Sequence, residues 1–450
     1  MKKGALIRLN IDHLSPDGDG VTEVEGRTVA VKGALPGDEV DVRVVGLKRH
    51  SARVRLESIV SEGVKRIEAK CPHFMHCGGC RWQDVPYDVQ CRMKSQLVNE
   101  ALGKVDGIDT VEDIEIVPSP DIFYYRNKME FTFDRPPGVE EVILGLHEFG
   151  RYDRIFDVSG CLLQSDISNR IVTAARNFVS EHGLSAYGLK SHTGLLRFLM
   201  LRDGKNTGDV MVNLVTSGED FEKSGEFCDY LLREIPGVTT VIRSINSRLA
   251  SVSSGEEREV LFGDGTLRDR IGAFTFVVSP DSFFQTNTHQ AENLYDTIRE
   301  FSKLSGTEHV LDLYCGIGTI GSYLAENAGK ITGVEMVEDA VKDAQKNAEI
   351  NGISNIKFIS GRVEKTISEN MDTFDVAICD PPRAGIHPGL MQNLVRMRIP
   401  RMVYVSCNVK AIPKDLEMLM LAGYRIKNVR VFDMSPHTPH IETVILLEIA

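Results

Sequence analysis

M-V-Y-V-S-C-N-V-K, residues 402–410, predicts a buried strand that ends at a thiol. Residues 402–406 combine three apolar side chains with Tyr404, a good strand former. Cys407 follows this strand, and Asn408 is typical of a helix start. Because ligands bind outside the carboxyl ends of the strands in an open α/β sheet, a thiol there points at a substrate. The alternative interpretation is a buried Cys that only fills the sheet edge.

The chain on both sides of this stretch alternates short apolar runs with amphipathic segments. A helix is predicted over Val337–Asn351, and strands are predicted at His309–Tyr314, Lys330–Glu335, Ile356–Ser360, Phe374–Cys379, Tyr424–Phe432 and Thr443–Leu447. This βαβ rhythm predicts a doubly wound, Rossmann-like α/β sheet whose strands end at one ligand-binding edge.

A glycine turn follows the first of these strands. Gly316, Gly318 and Gly321 have the spacing G-x-G-x-x-G, and Glu335 ends the next strand. This is also the dinucleotide fingerprint, so a nicotinamide or flavin oxidoreductase is one interpretation. Asp312, however, precedes the turn, and an acid there suits the ammonium group of a methionine moiety better than a pyrophosphate. The turn therefore favours S-adenosylmethionine, whose ribose hydroxyls Glu335 can bind.

Asp380-Pro381-Pro382-Arg383 follows the fourth predicted strand and so lies beside the same crevice. The two prolines stiffen the loop because each fixes φ. An Asp held at a strand end can orient an amine or an imide, which makes Asp380 a site candidate. The alternative is a rigid turn with a capping Asp.

The segment Ser435–Thr443 precedes the last strand and carries two prolines together with His437, His440 and Glu442. A Glu among apolar neighbours has its pKa raised toward neutrality, so Glu442 is a candidate general base. Metal binding by the two histidines is the alternative.

The chain has nine cysteines, an odd number that argues against a disulfide framework. Cys71, Cys77 and Cys80 lie in one glycine-rich loop, and three thiolates so close in sequence indicate a metal centre. We predict Cys161, in a turn, as the fourth ligand rather than Cys91, which falls in a helical pattern. Four thiolates suit either zinc or an iron–sulfur cluster. The isolated fourth ligand favours a [4Fe-4S] cluster.

The pattern divides the chain into three predicted domains. Residues 1–60 contain about five short strands, which indicates a small β-barrel of the oligonucleotide-binding type. Residues 61–285 read as a central α+β domain that carries the cysteine loop and includes a strand at Phe274–Ser279. Residues 286–450 form the sheet domain. An amphipathic helix over 84–102 is expected to pack on that sheet domain.

The amino-acid composition limits the classes of function that this chain can have. The chain has 450 residues, 42% hydrophobic content and a net charge of −12, which argues against a general nucleic-acid coat protein and predicts a localised RNA footprint. Arg43–Arg55 is a basic interval without an acid and is a candidate phosphate-contacting face. No apolar run approaches the ~18 residues needed to span a bilayer. We therefore expect a cytoplasmic protein, no membrane partner and, by default, a monomer.

The motifs together resemble those of the RNA uracil-5-methyltransferases: Ser406-Cys407-Asn408, Asp380–Arg383, Asp312–Gly318, Phe283–Asn287 and Pro436–Glu442. The stretch Val29–Val40 resembles the TRAM domain found at the front of several RNA-modifying enzymes. The resemblance covers the whole chain. With the TRAM-like front and the cysteine set, it looks like the 23S ribosomal RNA branch, because the bacterial transfer-RNA branch typically lacks both. The chain has Val409 where the family commonly has Pro.

The resemblance implies a role for each motif. Cys407 would add to carbon 6 of a uracil, after which Glu442 would remove the carbon 5 proton, with Asp380 near the ring. Phe283 would stack on the extruded base. The implied S-adenosylmethionine contacts are Gln285, Tyr314, Glu335 and Asp380, which join Asp312, Gly316 and Gly318. Competing interpretations are a transfer-RNA uridine or RNA cytosine methyltransferase, an iron–sulfur oxidoreductase that uses NAD, and a non-catalytic RNA-binding protein.

Overall fold

The structure is a computed structural model that describes residues 1–108, 114–369 and 373–449. Its first six strands form one sheet in the order β1-β5-β6-β4-β3-β2. They are β1 Leu6–Asn10, β2 His13–Leu14, β3 Gly20–Val24, β4 Arg27–Val31, β5 Glu39–Leu47 and β6 Ser51–Ser61. Strands β3 and β4 form a hairpin around Glu25 and Gly26, both of which have positive φ. Alternating apolar side chains of these strands form a separate small core.

The middle of the chain begins with helix α1, Tyr87–Leu102, and a short strand β7, Glu115–Val117. A seven-stranded sheet follows in the order β10-β9-β8-β11-β12-β13-β14. Its elements are β8 Lys128–Asp134, β9 Ile143–Glu148, β10 Arg151–Asp157, α2 Asp166–Glu181, β11 Leu196–Asp203, β12 Val210–Thr216, α3 Ser224–Glu234, β13 Thr240–Ile245 and β14 Glu257–Phe262. Helices α2 and α3 supply Phe178 and Phe227 to the core of this sheet. The predicted α+β layer is therefore present.

The C-terminal part is a sheet of eight strands in the order β19-β18-β17-β20-β21-β23-β22-β7. Its elements, with a separate β15–β16 hairpin, are β15 Leu267–Ile271, β16 Phe274–Val278, α4 Thr288–Ser302, β17 His309–Leu313, α5 Thr319–Leu324, β18 Lys330–Glu335, α6 Glu338–Ile350, β19 Ile356–Ser360, α7 Val363–Glu369, β20 Val376–Cys379, α8 Pro388–Met397, β21 Arg401–Ser406, α9 Ile412–Leu421, β22 Tyr424–Phe432 and β23 Glu442–Ile449. Strands β17 to β21 are parallel to one another, and β23 is antiparallel to both of its neighbours. This is the predicted doubly wound fold.

Three local predictions were wrong. The strand predicted at Phe274–Ser279 is β16, which pairs with β15 instead of the central sheet and packs against α5 and α6, with the Phe274 ring beside that of Tyr323. Strand β7, from the region assigned to the central domain, joins the C-terminal sheet beside β22. Helix α9 begins at Ile412 rather than at Asn408, because residues 408–411 form a turn closed by Ala411 N–H and the Asn408 carbonyl oxygen at 2.9 Å. Short apolar runs do not encode their pairing partners.

Helix α1 lies against the C-terminal sheet and not against the central one. Its buried face includes Met93, Leu97 and Ala101, which share one core with Leu416 and Leu419 of α9. Burying a leucine side chain stabilises a fold by about 1.5–3 kcal/mol, so this face anchors the helix. In the described part of the chain, no helix is long and apolar enough to cross a bilayer.

Candidate active site at the carboxyl edge of the C-terminal sheet

Three predicted site residues meet at neighbouring strand ends. Asp380 comes directly after β20 and Cys407 directly after β21, and these strands are parallel neighbours. Glu442 begins β23, which runs antiparallel to β21 with Ser406 opposite Thr443. This pairing sets Glu442 beside Cys407, and the order of the sheet sets Asp380 next to them.

The surroundings of Cys407 favour its neutral form. Cys407 is half-buried, and loss of water raises the pKa of its thiol to about 12, with further increases from the charges of Glu442 and Asp380. Arg383 lowers the pKa of the same thiol. Burial raises the pKa of the Glu442 carboxyl well above its ordinary value, and the Asp380 charge raises it further. Burial also raises the pKa of Asp380. The site thus places a protonated thiol beside a buried carboxyl group whose affinity for a proton is raised.

Two hydrogen bonds join the loops that carry these groups. The Asn408 amide nitrogen Nδ2 donates to the backbone oxygen of Arg383 at 2.7 Å. The Arg383 guanidinium nitrogen Nη2 lies 2.8 Å from Nδ1 of His440. Asn408 therefore connects the loop after β21 to the loop after β20, and Arg383 connects the latter to the segment before β23. Neither link was predicted from the sequence.

A crevice beside this edge presents two carboxyl groups. One oxygen of Asp312 accepts from the Gly321 N–H at 3.0 Å, and the other is buried without a hydrogen-bond partner among the described residues. Burial raises the pKa of Asp312 to about 7. Glu335 is half-buried and accepts from the backbone N–H groups of Gly316 at 3.1 Å and Val337 at 2.8 Å. The buried free oxygen of Asp312 is an acceptor for a ligand cation.

The turn between these carboxyl groups is half-buried at Tyr314 and Gly316 and buried at Gly318. Tyr314, Gly316 and Gly318 all have positive φ, of 61°, 54° and 78°. A Cβ at Gly318 would lie 2.7 Å from the Phe358 ring, so glycine is required there. At Gly316 a Cβ would meet nothing within 4 Å, which leaves the backbone open to a ligand. The turn, open at Gly316, and the two carboxyl groups fit the ribose hydroxyls and the ammonium group of S-adenosylmethionine.

The Phe283–Asn287 motif lies between two anchors. Phe284 is buried in the core, and the Asn287 side chain caps α4 by accepting from the Gln290 N–H at 3.2 Å. Between these anchors Phe283 is 66% exposed and Gln285 is half-buried. The motif therefore presents an aromatic ring to solvent from a fixed backbone.

Cys407 opens into a groove of about 410 Å³ that three separate parts of the chain enclose. The N-terminal sheet contributes its β2–β3 loop, where Asp17 accepts from Lys410 Nζ at 2.7 Å. Arg81, next to the cysteine loop, donates to the Asp17 backbone oxygen at 2.6 Å and also pairs with Asp19. The remaining lining includes Lys32, Gly78, Gly79, Arg383, Asn408, Thr438 and His440. The sequence did not predict this lining of the groove, because the residues that form it lie hundreds of positions apart.

Helix α1 holds the segment that leads to Glu442. Lys94 is fully buried and its Nζ lies 2.5 Å from Oδ1 of Asp433, which is also fully buried. The same ammonium donates to the Ser435 carbonyl oxygen at 3.1 Å. One turn away, the Gln90 side-chain oxygen accepts from the His437 N–H at 2.9 Å. His437 is buried in these contacts and so has a structural role rather than the alternative metal-binding one.

The four predicted cysteine ligands line a single apolar cavity of about 50 Å³: Cys71, Cys77, Cys80 and Cys161. Burial raises the pKa of Cys80 to about 12 and raises the pKa of Cys77 and Cys161 in the same direction. Cys91 is buried on α1 and does not line this cavity. Over the described ranges, no group of three or more His, Cys, Asp or Glu side chains is arranged to hold a single metal ion.

Two sequence profiles match the chain. The TRAM domain profile matches residues 2–56, and the profile described as tRNA (Uracil-5-)-methyltransferase matches residues 258–450. The first match covers β1 to β6 except the end of β6. The second includes every strand-end residue of the candidate site.

Proteins of similar length match over their whole sequence. An uncharacterized RNA methyltransferase of Halalkalibacterium halodurans is 35% identical, with 100% of this chain and 98% of that protein covered. One from Clostridium tetani is 37% identical over 99% of this chain and 98% of its own length. The crystal structure of Pyrococcus abyssi tRNA (uracil-54, C5)-methyltransferase in complex with S-adenosyl-L-homocysteine is 31% identical, with a TM-score of 0.79, and covers 98% of this chain and 100% of that one.

Proposed function

The chain belongs to the S-adenosylmethionine-dependent RNA uracil-5-methyltransferases, and from that premise we propose that it methylates carbon 5 of a uridine in 23S ribosomal RNA through a covalent bond to Cys407. The observation that carries this proposal is the pairing of β21 with β23, which sets the thiol of Cys407 beside the carboxyl of Glu442. A nucleophile and a base on neighbouring strand ends suit a reaction that needs both on one ring.

The chemistry of uracil explains this pair. Carbon 5 is a poor nucleophile until the Cys407 thiol loses its proton to solvent and the thiolate adds at carbon 6, which forms a carbon–sulfur bond and moves the ring electrons toward O4. Bound S-adenosylmethionine supplies the electrophilic methyl group that carbon 5 then takes. Glu442 removes the carbon 5 proton, the carbon–sulfur bond breaks, and Cys407 leaves as the thiolate.

Electrostatics supports the order of these events. The high pKa of the Cys407 thiol means that the free enzyme holds a protonated nucleophile among acidic neighbours. The raised pKa of Glu442 makes it a stronger base than an ordinary carboxylate when the carbon 5 proton must leave. Asp380 interacts electrostatically with Cys407 and with Asp312. It therefore lies between the nucleophile and the cofactor crevice.

The crevice residues would hold S-adenosylmethionine, with Asp312 toward the ammonium group and Glu335 toward the ribose hydroxyls. The backbone at Gly316 and Gly318 would approach the bound molecule closely. Gln285, Tyr314 and Asp380 complete the proposed contacts. The exposed Phe283 ring would stack on the uracil once it has been turned out of the RNA.

Ribosomal RNA is the first proposed substrate because the chain combines the cysteine set with a TRAM domain, both of which line the Cys407 groove, and this combination resembles the 23S ribosomal RNA branch. A transfer RNA is a second candidate, favoured by the Pyrococcus abyssi enzyme, whose title names uracil-54 of tRNA. That enzyme aligns with 98% of this chain, so a TRAM-containing front does not by itself separate the two substrates. Either RNA would be met in the cytoplasm.

The test is methyl transfer to defined RNAs. Purified, anaerobically prepared protein is incubated with methyl-labelled S-adenosylmethionine and unmodified 23S ribosomal RNA or transfer RNA, and the labelled nucleoside is identified by mass spectrometry. We expect 5-methyluridine in 23S ribosomal RNA. Label only in transfer RNA would select the second substrate, label in cytidine would overturn the uracil assignment, and no label in any RNA would overturn the function.

Variants test the covalent step. Cys407→Ala should form no RNA adduct and no product, whereas Glu442→Gln should accumulate an adduct that survives denaturing electrophoresis, because its carbon 5 proton is not removed. Cys228→Ala, a buried cysteine on α3 in the central core, is the matched control and should behave as the parent. Product formation by Cys407→Ala at the parent rate would exclude the covalent mechanism.

We further propose that Cys71, Cys77, Cys80 and Cys161 bind a [4Fe-4S] cluster that ties the cysteine loop to the central domain. Support comes from the four thiols around one apolar cavity. The cavity is set by hydrogen bonds from the Cys71 and Cys161 N–H groups to Gln83 and Asn169, at 2.9 Å and 2.8 Å. Bound, the cluster would serve as a cross-link between distant segments.

Metal analysis tests this second proposal. We expect iron and acid-labile sulfide in the anaerobic protein, their loss in Cys161→Ala, and their retention in Cys91→Ala, the neighbouring cysteine outside the cavity. Turnover should not depend on the redox state of the cluster. Zinc in place of iron in the anaerobically prepared protein, or iron binding that survives Cys161→Ala, would overturn the proposal.

A further inference from the structure

The contact between Arg383 and His440 determines which nitrogen of the imidazole carries the proton. A guanidinium has only donors, so its Nη2, at 2.8 Å, donates and Nδ1 of His440 accepts. A neutral imidazole that accepts at Nδ1 has its hydrogen at Nε2. His440 is therefore a hydrogen-bond donor at Nε2, the nitrogen not engaged by Arg383.

The environment keeps the His440 ring neutral. Partial loss of water and the positive charge of Arg383, followed by the charges of Lys94, Arg126 and Arg81, lower the pKa of His440 to about 4. The side chain is nevertheless exposed to the groove into which Cys407 opens. A neutral donor with a fixed tautomer thus faces the space next to the nucleophile.

Building on the proposed function, we propose that Nε2–H of His440 donates a hydrogen bond to O4 of the target uracil. When the Cys407 thiolate forms its bond to carbon 6, the electrons of the carbon 5–carbon 6 bond move toward O4, which becomes an oxyanion. The histidine keeps its proton and stabilises this charge through the hydrogen bond. O4 becomes a carbonyl oxygen when carbon 5 uses these electrons to bond the methyl group. Removal of the carbon 5 proton forms the oxyanion a second time, and O4 returns to a carbonyl oxygen when the carbon–sulfur bond breaks.

Position along the chain supports this assignment. Glu442, which takes the proton from carbon 5, lies two residues after His440, and carbon 4 is bonded to carbon 5. The same short segment can therefore serve two adjacent ring atoms. Arg383 is already engaged by His440 and, through its backbone oxygen, by Asn408, so it acts as a positioning residue for the imidazole.

The same contact would select uracil over cytosine. Cytosine presents an amino group in place of O4, and that group is itself a donor. It would face Nε2–H without an acceptor, which leaves a desolvated donor unpaired. His440 is therefore both a catalytic and a specificity-determining residue in this proposal.

The experiment compares His440→Ala and His440→Gln with the parent enzyme on RNA that contains uridine or 4-thiouridine at the target, since sulfur is a weaker acceptor than oxygen. Removal of one oxyanion donor should lower kcat about 100-fold, with KM for RNA within about threefold. Gln has an amide that can accept from Arg383 and donate to O4, so His440→Gln should recover part of kcat. His182→Ala, at the end of α2 beside Glu226 and outside the Cys407 groove, is the control.

The 4-thiouridine substrate separates a direct contact from a structural effect. The parent should lose rate on this substrate, whereas His440→Ala should lose no further rate, because the same interaction is already absent. Unchanged kcat in His440→Ala, or multiplicative losses from variant and substrate, would overturn the proposal. If the parent methylates no RNA at all, the proposed function fails instead, so the two failures are distinguishable.

Discussion

Replacing Asp312 with Asn should stabilise the ligand-free protein, and more so as pH rises. Asp312 is fully buried near the end of β17, and burial raises its pKa from 3.8 to about 7. The Gly321 N–H donates a hydrogen bond to one carboxylate oxygen of Asp312 at 3.0 Å, and the side-chain oxygen of Asn can accept the same hydrogen bond. The substitution therefore removes a buried charge and keeps the hydrogen bond.

The sign and size of this stability change follow from the linkage between proton binding by Asp312 and unfolding. Below about pH 4 the Asp312 carboxyl is protonated in both the folded and the unfolded chain, so it does not affect the free energy of unfolding. As pH rises toward 7 the unfolded chain ionises first, and stability is lost. The difference between 3.8 and about 7 corresponds to about 4 kcal/mol at about 1.4 kcal/mol per unit. Asp312→Asn should gain less than about 1 kcal/mol over the parent at pH 4 and up to about 4 kcal/mol at pH 8.

The assay is urea unfolding at pH 4, 6 and 8, followed by fluorescence of the single tryptophan, Trp82. This residue is buried in the same core as Leu311 and Leu313, the neighbours of Asp312, so its signal reports that core. Asp229→Asn, an exposed carboxyl on α3, is the control and should show no pH-dependent gain. An equal difference between Asp312→Asn and the parent at all three pH values would refute the reasoning.

The same variant tests why a costly carboxyl is retained there. If Asp312 binds the ammonium group of S-adenosylmethionine, Asp312→Asn should bind the cofactor more weakly although it is more stable. Calorimetric titration with S-adenosylmethionine measures this. Unchanged affinity would separate Asp312 from the cofactor site.

Three further outcomes are expected. Lys94→Met leaves the buried carboxyl of Asp433 without its cation, so it should lower the free energy of unfolding by about 3–5 kcal/mol and reduce kcat. Urea unfolding and methyl-transfer rates measure the two effects. A loss of stability below about 1 kcal/mol would contradict a tight ion pair. Because the pKa of the Cys407 thiol is about 12, its thiolate fraction increases with pH throughout the range from pH 6 to 9. In a stopped assay, kcat/KM should therefore rise across this range. A thiol with a lowered pKa would instead give a plateau near neutral pH. Phe283→Ala should weaken RNA binding by about 5–150-fold, since one stacked base is worth about 1–3 kcal/mol. Its affinity for S-adenosylmethionine, measured by calorimetry, should not change. Weaker cofactor binding would indicate that the ring contacts the cofactor rather than the base.

The strands of the C-terminal sheet show how far local pattern reaches. Lys330–Glu335 and Ile356–Ser360 were predicted with the bounds that the structure has, because an apolar run of strand length between helical segments is a local signal. Polar residues that directly follow such runs could then be assigned to one edge of the sheet. Cys407 and Asp380 were found in this way.

The local sequence pattern did not predict which strands pair with each other. The run Phe274–Val278 has the same alternation as a strand of the central sheet, yet it pairs with β15 and packs on α5 and α6. Strand β7 is three residues long and joins a sheet more than 300 residues away in sequence, beside Arg430–Phe432. Short runs of this kind are compatible with several partners, and only the competition between whole packing arrangements selects one.

The sequence by itself predicted the doubly wound sheet, the TRAM-like front and the candidate site residues, since each prediction depends on periodicity or on motifs a few residues long. Only the tertiary structure decided what surrounds those residues. Lys94 meets Asp433 across 339 positions, and Arg383 meets His440 across 57. Such contacts arise because packed helices and loops bring distant segments within hydrogen-bond range, and no local pattern encodes that geometry.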